Sequence, residues 1–176
     1  HRSVNLTCVP SMNFQRPYAS RLWSTSTLAG LVGGLAEIVW IFFYEHLSGG
    51  QAVDVARGVT DSLFRTRVAS SLVVPLGIAI HMGLAILLGV AIIGLIRSLL
   101  PHARGTLIEP VAVTGLLFSV WAMNFMVVLP ALNPAFVDLV PYGASFISKM
   151  LFGIAAAYVL HFYTGPHHAI QAHKGD

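Results

Sequence analysis

A single cysteine, Cys8, occurs in this sequence, which excludes both an intramolecular disulfide and a cysteine-ligated cluster. Charge is scarce as well, with Asp, Glu, Lys and Arg together making up only 10% of the residues. No polar stretch is long enough for a soluble domain, the longest running from Ser48 to Ser71. A serine nucleophile elbow, a phosphate-binding glycine loop, a paired metal-ligand motif and a catalytic carboxylate pair are all missing, so an independent enzyme is not expected. The formal charge of +3 comes from basic residues spread along the flanks of apolar runs. That distribution argues against a nucleic-acid partner and suits anionic lipid headgroups.

What fills the chain is apolar side chain: 56% of the residues are hydrophobic and the mean hydropathy is +0.75, more than one soluble core of this size would hide. Four runs, about 22–47, 72–100, 107–129 and 143–163, are each long enough to cross ~30 Å of hydrocarbon at ~1.5 Å per residue. The expected fold is therefore all-α: a single membrane domain over 1–176, with four transmembrane helices in a tight bundle and a polar tail at 165–176. The opening "HRSVNLTCVPS" lacks the apolar centre of a secretory signal, and no cleavage after the first run is expected.

Basic residues set the orientation, because short loops rich in Arg and Lys stay in the cytoplasm. Arg2, Arg16, Arg21, Arg97, Arg104 and Lys174 fall on one side, against Arg57, Arg65 and Arg67, which Asp54 and Asp61 partly offset. Both termini are expected in the cytoplasm. There the glycosylation acceptor Asn5-Leu6-Thr7 would be inert.

Between the first two spans, residues 51–66 place Ala52, Val55, Ala56, Val59 and Leu63 at helical spacing, with Asp54, Arg57 and Asp61 elsewhere on the wheel. Such a segment is either a short helix lying in the membrane interface or a loop helix packed on the bundle. Residues 130–142 carry Pro130, Pro134 and Pro141 and are expected to fold back as a cap. Small residues recur at packing intervals, with Gly30 and Gly34, Ala29 and Gly33, Ala79 and Gly83, and Ala85 and Gly89. In lipid such residues let helix backbones approach closely.

Four polar residues lie inside the spans, one per helix: Glu37, His81, Asn124 and Lys149. Counted from the helix ends, all four fall about 9 to 14 Å below one boundary. Charged groups at such depth are expensive and need partners. Glu37 and Lys149 form a natural pair, with His81 and Asn124 able to supply hydrogen bonds; alternatively the long stem of Lys149 reaches back to water, or the cluster holds a proton or ligand. One histidine and two oxygen ligands match no diagnostic metal spacing. His46, His81 and His161 lie at different depths, which argues against bis-histidine haem, and His102, His167, His168 and His173 belong to the opposite side or the tail.

Glu109 and Pro110 suit the first turn of the third span. Trp23, Tyr142 and Tyr163 read as interface anchors. The deeper Trp40, Trp121, Phe42, Phe43, Phe118 and Phe125 could face lipid, a quinone, a pigment or another subunit.

The succession "AGLVGGLAEIVW", "HMGLAILLGVA", "GLLFSVW" and "LPALNPAFVDLVPYGASFISKMLFG" resembles the YagU-type family of small bacterial inner-membrane proteins, through its glycines, prolines and His81. The resemblance implies a four-helix bundle in a bacterial cytoplasmic membrane. That family has histidine where this chain has Lys149, which separates the two in any proton-linked role. Taken together, these features suggest an accessory, non-catalytic subunit of a larger respiratory or photosynthetic membrane complex, its partners being other membrane subunits and lipid. The rival is a small proton-coupled transporter or acid-response protein using Glu37, His81 and Lys149.

Overall fold

The computed structural model describes residues 16–64, 68–103 and 106–164, with side chains from 23 to 163 within them. Cys8, Asn5, the side chains of Arg16 and Arg21, Arg65, Arg67, Arg104 and the tail from 165 lie outside the described residues.

Among the described residues seven α-helices follow in order: α1 (Arg16–Ser48), α2 (Ala52–Leu63), α3 (Ser70–Leu99), α4 (Ile108–Met123), α5 (Leu129–Leu132), α6 (Pro134–Leu139) and α7 (Tyr142–Thr164). A widened turn, Asn124–Val128, carries α4 into α5. Its cause is local: Pro130 has no N–H to give, and the ladder adjusts by letting the Leu129 N–H reach back five residues to the Asn124 carbonyl. Among the described residues four stretches, Trp23–Ser48, Ser70–Leu99, Ile108–Leu132 and Tyr142–Tyr163, are long and apolar enough to cross a membrane. The chain is a multi-pass helical bundle.

α1 is the hub, packing on α3 along one side and on α7 along another. Toward α3 the backbones nearly touch: a methyl built on Gly89 would lie 2.6 Å from the Gly30 Cα, and one built on Gly30 would lie 2.6 Å from the Ala85 carbonyl oxygen. One turn on, a methyl on Gly34 would meet the Ala85 Cβ at 2.6 Å. Toward α7, Gly33 makes room for the Phe152 ring, and the Trp40 indole N–H donates to the Ala144 carbonyl at 2.9 Å. Small residues thus do between α1 and α3 what dispersion requires in lipid.

Ala79 and Gly83 correct the sequence reading. Both are exposed, and nothing approaches within 4 Å of a methyl built on Gly83. The reason is rotation: Ala79 and Ala85 are six residues apart, which is about 240° around the helix, so the two small-residue pairs of α3 point to different sides. Of these two pairs, only Ala85 and Gly89 meet α1.

At the end where α1 stops and α7 starts, α2 and α6 form a cap. α2 is amphipathic, exposing Arg57 and Asp61 with Asp54 half-buried, while burying Val55 and Thr60. Gly77 of α3 lies directly under the Ala56 carbonyl, and the Thr60 hydroxyl donates to the Val73 carbonyl at 2.7 Å. Gly58 leaves space for the Phe136 ring of α6, and the Asn133 side-chain amide donates to Ser62 Oγ at 3.0 Å. The interfacial helix is therefore also a packed one. Beneath the cap lies an aromatic layer in which Trp121 packs edge-on to Phe146, at 5.1 Å between centroids, and its N–H donates to Ser145 Oγ at 3.0 Å.

Candidate functional site

Glu37 stands where the two seams of α1 meet. Four residues past Gly33 it still faces α7, and three past Gly34 it still borders α3, so its carboxylate has a neighbour on each side. It is 2% exposed. Lys149 Nζ donates to Glu37 Oε1 at 2.5 Å, and Ser148 Oγ donates to the same oxygen at 3.4 Å. The ammonium also lies 5.5 Å above the Phe152 ring, whose own place is set by Gly33. Lys149 therefore turns inward to its partner and is 17% exposed.

The second carboxylate oxygen is left without a hydrogen bond. Facing it is His81 on α3, with Nε2 at 3.7 Å from Glu37 Oε2 and 3.4 Å from the Gly34 carbonyl oxygen. A proton on Nε2 would point toward both acceptors. His81 is 29% exposed, the most accessible member of the three. Attraction between opposite charges, hydrogen bonding from Ser148 and a ring quadrupole under the ammonium together offset the desolvation of Glu37 and Lys149.

Asn124 is not part of this arrangement. It heads the widened turn after α4, half-buried, and among the described residues no hydrogen bond joins it to Glu37, His81 or Lys149. A shared depth is set by helix rise, whereas meeting requires a shared azimuth, and the widened turn sits on a helix that packs on α7 rather than α1.

Two features escaped the sequence reading. Arg97, in the last turn of α3, and Glu109, in the first turn of α4, form a buried ion pair with Nε to Oε1 at 3.1 Å. The detectable signal was an Arg and a Glu flanking a short connection. The other is Glu45, 4% exposed near the end of α1, whose Oε1 has no hydrogen bond. Its position eight residues beyond Glu37 on a largely buried helix face was the available hint.

The deeper aromatic residues divide into two groups. Trp121 and Phe125 are core, and Trp40 is anchored on Ala144, whereas Phe42, Phe43 and Phe118 lie on the outer surface with the boundary residues Trp23, Tyr142 and Tyr163. Among the described residues no three His, Cys, Asp or Glu side chains converge where a metal ion would sit. No family model, curated protein or solved structure matches the chain.

Proposed function

We propose that the protein is a non-catalytic subunit that packs within a larger bacterial inner-membrane assembly, its helices held in register by the Glu37–Lys149 pair. The observation that carries this reading is the direction in which polarity is turned. The ion pairs Glu37–Lys149 and Arg97–Glu109 form inside the chain, while Phe42, Phe43, Leu87, Phe118, Met126 and Ile154 present apolar surface outward on all four spanning helices. A bundle whose ion pairs lie inside and whose outer surface is largely apolar suits a partner helix as well as it suits lipid. The positive-inside pattern supports cytoplasmic termini at the end that carries Arg97, and the family resemblance of the sequence supports the bacterial setting. Gentle extraction followed by native mass spectrometry tests the proposal. Co-isolation in fixed stoichiometry with larger membrane subunits is expected, and a free monomer or homo-oligomer alone would overturn it.

A second reading has its own observation: Glu37 Oε2 lacks a hydrogen bond and faces the ring nitrogen of the partly exposed His81. A histidine ring nitrogen facing a carboxylate oxygen is suited to take up and release a proton. On this reading the chain couples proton binding to transport or to an acid response. In proteoliposomes Glu37→Gln would then abolish pH-driven flux while leaving the bundle folded. Unchanged flux would remove this reading.

A further inference from the structure

Among the described residues, the buried side-chain polar atoms without a hydrogen bond are Ser26 Oγ, Glu37 Oε2, Glu45 Oε1 and Arg97 Nη2. Ser26 is neutral, Glu37 has Lys149, and Arg97 has Glu109. Glu45 differs from all of them, since no cation pairs with it among the described residues. Its surroundings also oppose a negative charge. It lies one turn from the C-terminal end of α1, where the helix carbonyls leave a partial negative charge. Its near charged neighbour is Asp54 of α2, another acid, whose own partner is Arg57 at 2.9 Å.

The remaining charged and titratable groups of the packed elements change nothing. α2 adds exposed Asp61, α6 adds exposed Asp138, α7 begins with exposed Tyr142, and α3 has no titratable side chain before His81. On α1 itself, His46 is exposed and Tyr44 packs on Trp40. Among the described residues nothing would compensate an anionic Glu45, and proteins avoid such a buried charge by neutralising the group.

The backbone beneath it is built for this side chain. Gly49 takes φ +81°, and the Gly50 N–H closes onto the Glu45 carbonyl at 2.8 Å, ending α1 in a glycine-dependent reverse turn. The Glu45 carboxyl group lies over Gly50, in space that any side chain there would fill. That same turn aims the chain into α2.

We propose that Glu45 is a proton-binding site that enters the fold as a neutral carboxylic acid, and whose ionisation loosens the joint between α1 and α2. The ligand is a proton, exchanged at the capped end of the bundle. Once ionised, the group gains solvation only by leaving its place over Gly50, which disturbs the turn. The site is separate from the Glu37 cluster, about 12 Å away along α1, and does not depend on which reading of that cluster holds.

Infrared spectroscopy of the full chain in an ester-free detergent tests the proposal. At neutral pH the wild type is expected to show the C=O stretch of a protonated carboxyl group, lost in Glu45→Gln and kept in Glu37→Gln. Gly50→Ala, which displaces the carboxyl group, is expected to lose the band with Glu45 still present. Raising the pH should remove the band and accelerate amide exchange over residues 49–55 in the wild type beyond the intrinsic rate, but not in Glu45→Gln. Absence of the band in the wild type, its survival in either Glu45→Gln or Gly50→Ala, or equal exchange behaviour would overturn the proposal. So would a Glu45→Gln chain that fails to fold, because the amide is the neutral isostere of the acid.

Discussion

Lys149 of α7 reaches Glu37 of α1 across the seam that Gly33 and Phe152 bring together, 112 residues apart in sequence and 2.5 Å apart in space. Removing one partner leaves a charge in a nearly dry site, whereas removing both leaves none. Lys149→Met or Glu37→Gln alone should therefore destabilise the bundle by about 3 to 5 kcal/mol, and the double variant should recover most of that loss. Unfolding of all four chains in mixed micelles measures the coupling. Additive effects would show that the pair contributes no mutual stabilisation.

The close approach of α1 and α3 makes a sharper contrast between two glycines on one helix. Gly89→Ala would thrust a methyl group 2.6 Å from the Gly30 Cα and should cost about 1 to 3 kcal/mol through forced separation of the backbones. Gly83→Ala meets nothing within 4 Å and should stay within about 0.5 kcal/mol of the wild type. The same unfolding assay checks both, and equal losses would contradict the packing described.

That contrast marks what was legible in the sequence. The spans could be read because hydrophobic length is a one-dimensional property: runs at about 72–100 and 143–163 became Ser70–Leu99 and Tyr142–Thr164. The depth of Glu37, His81 and Lys149 was readable for the same reason, since helix rise converts residue count directly to height. Azimuth was not readable. A spacing of four between small residues occurs on both sides of α3, and only the position of α1 decides that Gly89 is buried and Gly83 is not. Asn124 failed to join the cluster for the same reason. The cap was half legible: Pro134 and Pro141 fall at breaks in the helix, whereas Pro130 is absorbed in the widened turn of the third span, and α5 and α6 required knowing that Phe136 would seat on Gly58.

Arg97 and Glu109 tie the α3–α4 connection from within. Glu109→Ala would leave the Arg97 guanidinium buried with Nη2 already lacking a hydrogen bond, and should destabilise the chain by about 3 to 5 kcal/mol. If the pair lay at a solvated helix end, the loss would fall to about 1 kcal/mol or less and would shrink further in high salt. A salt series on the variant separates the two outcomes.

The fastening of α2 to α3 rests on one glycine and one hydroxyl. Thr60→Val removes the hydrogen bond to the Val73 carbonyl while keeping the side-chain shape, and should cost about 1 kcal/mol. Gly77→Ala sets a methyl group against the Ala56 carbonyl, a rigid backbone atom that can yield only if the whole of α2 lifts. Its effect should therefore be local: amide exchange over residues 52–63 rises, while the Gly30–Gly89 contact beneath remains protected. Equal exchange in α2 and in the α1–α3 seam would mean that the cap and the bundle unfold as one unit, and that α2 has no independent motion for a switch at its base to control.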